Sequence, residues 1–193
     1  MRRIGLFGGT FDPPHLGHLA LAECARDQLA LERVLFVPAG TPPHKRRAGR
    51  SSAARRVAMT RIAVRGNRAF RVSLVEVRRR GPSFTVDTLR ELAQRFPRSQ
   101  WFLLLGADSL ADFANWHRPR EILELATLVV AARPGVPRRG GPRRGVRWLE
   151  NFAVDISSSA IRARARAGRP VRYLVPDAVA TYIARHRVYA GTR

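Results

Sequence analysis

"IGLFGGTFDPPHLGHLALAE", residues 4–23, is an apolar run that breaks into glycine, proline and histidine before resuming with helical spacing. A plain strand-to-helix connection needs only about two to six residues of ordinary turn chemistry. This one removes bulk: Gly8 and Gly9 follow the strand directly, so a ligand can approach the main chain and N–H groups are left facing outward. Pro13 and Pro14 stiffen the loop. His15 and His18, three apart at the mouth of a helix, share a face and point back over the turn. A helix N-terminus favours an anion. The stretch therefore predicts a site for a nucleoside triphosphate, with main-chain donors and two imidazoles around the phosphates. The spacing is neither G-x-G-x-x-G nor G-x-x-x-x-G-K-[ST], so the dinucleotide fingerprint and the P-loop both fail. Two histidines without a third ligand, and no H-E-x-x-H, argue against zinc, and no protein metal site is expected.

Outward from this turn, apolar runs alternate with amphipathic ones. Strands are predicted over 3–9, 33–39, 69–77, 100–106 and 126–133, and helices over 16–31, 52–66, 85–96, 157–168 and 176–189. The unbroken hydrophobicity of 100–106 and 126–133 belongs to strands buried on both faces. Strand-helix alternation gives an α/β fold: a Rossmann-like, doubly wound, mostly parallel sheet with helices on both faces. In such a sheet ligands sit at the carboxyl ends of the strands. The Pro/Gly/Arg stretches 42–52 and 134–145 read as loops, and the rhythm resumes after each, so one domain is expected over 1–193.

A chain of 193 residues, 45% hydrophobic and 26% charged, supports a real core. The basic start is interrupted at once by Gly5, Gly8 and Gly9, which does not fit a secretory leader. The longest apolar stretch, Leu125–Ala132, is far short of a membrane span. The single Cys24 excludes a disulfide framework and suits a reducing cytoplasm. The net charge of +22 is the footprint of a nucleic-acid binder, yet the basic residues are spread through helices, strand ends and loops, and Lys45 is the sole lysine. Such a surface favours phosphate-bearing small molecules as much as polynucleotides. Oligomeric state is left open, a homo-oligomer included.

"GGTFDPPHLGH" (8–18) resembles the G-[GS]-[ST]-F-D-P-x-H-x-G-H signature of the nucleotidyltransferase superfamily with the H-x-G-H motif, and within it the bacterial nicotinate-nucleotide adenylyltransferases. "PAGTPPHK" (38–45), "SFTVDTL" (83–89), "LLGADSLADFANW" (104–116), "VVAARPG" (129–135) and "ISSSAIR" (156–162) resemble that family's blocks in its order, across almost the whole chain. Read without the family, "ISSSAIR" fits a phosphate-binding helix mouth and a capped surface helix of an arginine-rich chain equally, and the resemblance favours the first. Ser157 is a good N-cap, Ile156 and Ile161 form a hydrophobic staple, and a helix start with free N–H groups, serines and Arg162 suits phosphate.

The resemblance implies adenylyl transfer from ATP to nicotinate mononucleotide, a step of NAD biosynthesis, with Mg²⁺ brought by ATP. It implies ATP contacts from Gly8, Gly9, Thr10, Phe11, His15, His18, Gly106, Asp108, Ser158, Ser159 and Arg162. For the mononucleotide it implies Lys45, Ser83, Thr85, Trp116, His117 and Arg133, with Thr85 beside the nicotinate carboxylate and Trp116 stacked on the pyridine. His15, His18, Lys45 and Arg162 are the expected catalytic set. Phe84 and His117 stand where Tyr is common in the family, so any role resting on the phenol of residue 84 is missing here. A sibling acting on phosphopantetheine shares the opening motif but is not expected to carry "SFTVDTL" or Trp116. An arginine-rich nucleic-acid module is the competing class; few aromatics interleave with its arginines, as a stacking platform would need.

Overall fold

The computed structural model describes residues 1–41, 51–131, 145–150, 154 and 156–190, with Asp108 described in its backbone alone. The elements are β1 (Arg2–Gly9), α1 (Leu16–Gln28), β2 (Arg33–Pro38), α2 (Ala53–Ala63), β3 (Phe70–Val72), α3 (Val75–Arg78) and α4 (Thr85–Arg95). They continue with β4 (Ser99–Leu105), α5 (Ala107–Ala111), a 3₁₀ turn (Phe113–Asn115), α6 (Pro119–Leu125), β5 (Ala126–Ala131), β6 (Val146–Leu149), α7 (Ser158–Arg166) and α8 (Asp177–Arg185).

Alternation along each strand builds two layers of core. Ile4 and Leu6 of β1, Leu35 and Val37 of β2, and Leu103 and Leu105 of β4 face α4 and α6, meeting Val86, Leu89, Leu92 and Ile122. Phe7, Phe36, Phe102, Leu104 and Val129 face the other way, onto Leu21, Ala22 and Ala25 of α1. Both faces are thus covered, which is what the continuous apolar runs require. A third cluster joins α2, α7 and α8 through Met59, Ile161, Val179, Ile183 and Tyr189.

The six strands lie in the order β3-β2-β1-β4-β5-β6 and every pairing is parallel. Beyond β3 the chain crosses back to place β4 beside β1. The direction of winding therefore reverses between β1 and β4, and a crevice opens at their carboxyl ends.

Two stretches differ from the sequence expectation. The strand predicted over 69–77 is only Phe70–Val72, and residues Val75–Arg78 turn into α3. Val75 and Glu76 are adjacent and both buried, which a strand would place on opposite faces. Gly40 also packs so close to the Glu76 carbonyl that a Cβ there would collide with it. The strand β6, of which only Leu149 is fully buried, was not anticipated, nor were α5 and α6. Residues 132–133 and most of the two predicted loops lie outside the described residues.

Candidate active site

At the reversal point β1 ends in Gly8-Gly9, and Gly106 follows β4 directly. A Cβ built on Gly8 or on Gly106 meets nothing within 4 Å, so both open onto the crevice. The Gly9 carbonyl accepts from the Ala39 N–H at 2.8 Å, after β2. Because the peptide is planar and trans, the Thr10 N–H on the other end of that unit points away from β2. The Thr10 carbonyl is held in turn by Arg56, whose guanidinium also donates to Ala39 O at 2.6 Å and Gly40 O at 3.3 Å. Arg56, 4% exposed, thus clasps the loops after β1 and β2 from inside the protein.

The turn from Phe11 to His15 is locked from below. Phe11 sits in the left-handed region at φ 49°, an uncommon conformation for an aromatic residue. It sends its ring into the core, edge-on to Phe7 and His18. With that ring buried, Phe11 has its main chain to offer a ligand. The buried Asp12 carboxylate accepts from the Tyr189 hydroxyl at 2.8 Å and the Ser51 N–H at 3.1 Å.

His15 is the N-cap of α1, and its N–H donates to His18 Nδ1 at 3.1 Å. With Nδ1 accepting, the neutral His18 ring carries its proton on Nε2, a donor. The two imidazoles lie 3.6 Å apart, tilted by 31°. Burial lowers the His15 pKa to about 4, so this ring is neutral at neutral pH. Its Nδ1 is turned inward without a hydrogen-bond partner, and a Cβ on Gly17 would press on it at 3.1 Å.

α7 docks on this turn from the far end of the chain. Ser157 caps it, accepting from the Ala160 N–H at 3.1 Å. The Ser158 hydroxyl donates to Pro13 O at 2.8 Å. Arg162 donates to Asp12 O at 2.8 Å and to Ser159 Oγ at 3.1 Å. Two of its five N–H donors are so engaged, and among the described residues no carboxylate pairs with it. By position, the Ser158 and Ser159 N–H groups have no intrahelical partner. His15, His18, Ser158, Ser159 and Arg162 are thereby brought to one place.

A second cluster lies at the start of α4. Its N-cap is Phe84, which gives no side-chain cap, so the first-turn N–H groups from Thr85 onward are not closed by the N-cap residue. Phe84 stacks on His117 with ring centroids 4.4 Å apart, and half-buried Trp116 packs on Phe113. The Ser83 hydroxyl accepts from the Gly40 and Thr41 N–H groups, both at 3.1 Å, so it shapes the neighbouring loop. Buried Glu76, its pKa raised by desolvation, accepts from Thr88 Oγ1 at 2.8 Å beneath it.

Lys45 and Arg133 lie outside the described residues, and Asp108 is placed only by its backbone, in α5 just past Gly106. Among the described residues no three His, Cys, Asp or Glu side chains gather as cation ligands. No helix among them is long and apolar enough to cross a membrane. Sequence reasoning missed Arg56 and Tyr189. Arg56 was hidden by the abundance of arginine, and Tyr189 stands in an amphipathic tail with nothing to mark it. Asp12 lay in plain view inside the opening motif, with no neighbour in sequence to suggest its role.

The chain matches the cytidylyltransferase-like family over residues 6–164. It is 48% identical over 192 residues to a Salinibacter ruber protein named a probable nicotinate-nucleotide adenylyltransferase, covering 98% of each chain. A Herpetosiphon aurantiacus protein of the same name is 44% identical over 200 residues, with 98% of this chain and 99% of that one covered. Among solved structures, the chain superposes on the Plasmodium falciparum nicotinic acid mononucleotide adenylyltransferase complexed with NaAD at a TM-score of 0.80, with 16% identity and 98% of each chain covered. The likeness to that structure is one of fold.

Proposed function

The chain belongs to the cytidylyltransferase-like family, and from that premise we propose that it transfers the adenylyl group of ATP to nicotinate mononucleotide. The 5′-phosphate oxygen of the mononucleotide attacks the α-phosphorus of ATP. A new P–O–P bond forms, the bond between the α-phosphorus and its bridging oxygen breaks, and pyrophosphate leaves with that electron pair. The products are nicotinate adenine dinucleotide and pyrophosphate. The attacking phosphate is already an anion at neutral pH, so the protein supplies no nucleophile; its work is positioning and charge stabilisation.

The observation that carries this reading is the docking of Arg162 and Ser158 onto the Asp12–Pro13 turn, beside the stacked pair His15–His18. Arg162 supplies a permanent positive charge for the phosphates, together with the N–H groups of Ser158 and Ser159 at the mouth of α7. His18 donates through Nε2 to the transferring phosphoryl group. Neutral His15 serves by hydrogen bonding and by holding His18 in place. The outward N–H of Thr10 meets the α-phosphate. Lys45 closes over the triphosphate as a point charge. Gly106 and Asp108 border the adenosine. The first turn of α4, with Thr85, receives the nicotinate carboxylate, and Trp116, His117 and Arg133 border the mononucleotide.

The donors facing the crevice are N–H, imidazole and guanidinium groups, which suit phosphate oxygens and not a cation. Mg²⁺ accordingly enters as part of the ATP substrate. We propose that residues 1–193 act together as one nucleotidyltransferase domain, in the cytoplasm and without a specific nucleic-acid partner.

The test is pyrophosphate release by purified protein with ATP, Mg²⁺ and either nicotinate or nicotinamide mononucleotide. The acid is expected to be preferred. His18→Ala is expected to lower kcat by about a hundredfold or more, the range seen for loss of one donor to a developing charge. Turnover no higher than that of His18→Ala would refute the activity.

A further inference from the structure

Asp12 is a buried carboxylate that the transfer step does not use. The residue is 1% exposed, and its main chain is part of the phosphate-binding turn. Both carboxylate oxygens are occupied by neutral donors: the Tyr189 hydroxyl at 2.8 Å on Oδ1 and the Ser51 N–H at 3.1 Å on Oδ2. Arg162 donates to the main-chain carbonyl of this same residue, at 2.8 Å. An arginine beside a carboxylate ordinarily forms a charge-assisted pair, which is roughly twice as strong as a neutral hydrogen bond. Here neutral donors hold the place that the arginine would take.

Tyr189 comes from beyond α8, and its hydroxyl also lies 3.8 Å from Met59 Sδ. Burial, and then the Asp12 charge, push its pKa far up, so the phenol remains a donor at any working pH. The Arg162 charge pulls the other way, which places that guanidinium within electrostatic reach of the pair.

We propose that Tyr189 is a positioning residue for nucleotide binding: by holding the Asp12 carboxylate it keeps that group off Arg162, whose charge is left for the phosphates. This rests on the reading above, in which Arg162 meets the triphosphate. Anchored on a neutral carbonyl and a hydroxyl, Arg162 keeps its full charge and spare donors. Paired with Asp12, it would be neutralised and drawn inward.

Tyr189→Phe in the full chain keeps the ring and removes the hydroxyl alone. The KM for ATP is expected to rise about tenfold, with kcat and the KM for nicotinate mononucleotide little changed. In an Arg162→Met background the same substitution is expected to add less than about twofold, because its effect runs through the guanidinium. An equal rise in that background, or equal rises for both substrates, overturns the proposal and leaves the adenylyl-transfer reading standing. An unaltered ATP KM in Arg162→Met alone is instead the failure of the phosphate reading, and the proposal falls with it. Should Tyr189→Phe not fold by circular dichroism, Asp12→Asn decides. It removes the competing charge while keeping an oxygen for the phenol, though its amide N–H then faces the Ser51 N–H, so with the fold verified the ATP KM should stay within about twofold of that of the unmodified protein. A tenfold rise, of the order expected for a lost charged hydrogen bond, overturns the proposal.

Discussion

Burial holds His15 uncharged down to a pKa of about 4, against 6.5 for the free side chain. The unfolded chain therefore binds a proton between pH 6.5 and 4 that the folded chain does not. Stability from this group is complete above the upper value and declines as the pH falls to the lower one. The amount lost is roughly 3 kcal/mol. Urea midpoints measured at pH 7 and at pH 4.5 should show the fall, and His15→Gln should flatten it. An unchanged slope in that variant would assign acid sensitivity to other groups. The same neutrality separates the roles around the turn: Arg162 brings the guanidinium charge, and His15 brings geometry. His18 keeps its ring orientation because Nδ1 is fixed on the His15 N–H.

Between elements, the crevice is held by polar clasps and not by apolar packing alone. Arg56 of α2 reaches the carbonyls of Thr10, Ala39 and Gly40, so it sets the loops after β1 and β2 together. Arg56→Met leaves these half-buried carbonyls without the guanidinium and opens space around a buried side chain, at a cost of up to about 3 kcal/mol. The melting temperature should fall by about 6–12 °C in a chain of this size. A variant melting as the parent does would show that water replaces the guanidinium. Strands buried on both faces were legible in the sequence because a short run without polar residues needs cover on each side of the sheet. The tail of 69–77 was not, since its alternation looked strand-like while tertiary packing turned Val75 and Glu76 inward together. The cap of α7 at Ser157 and the shared cluster of Ile156 and Ile161 were both readable, because capping and stapling are local chemistry.

For the molecule as a whole, strand order brings together what sequence order keeps apart. The β1 turn, the α2 start, α7 and the tail after α8 meet at Asp12 through Ser51, Arg162 and Tyr189. The family resemblance located the two ends of this assembly, His15–His18 and Ser159–Arg162. The tyrosine and arginine that brace it carry no motif, and a carboxylate knot formed over such sequence distances has no local signature. The net charge of +22 attracts anions to the molecule as a whole and is screened within about 8–10 Å at physiological salt. The closing contacts are made by the few groups in the crevice. The most direct measurement is a crystal structure of the protein with nicotinate adenine dinucleotide bound. Phosphate oxygens are expected within hydrogen-bond distance of both the His18 imidazole and the Arg162 guanidinium, with the nicotinate carboxylate at the first turn of α4. A dinucleotide whose phosphates touch neither side chain would refute the shared phosphate site.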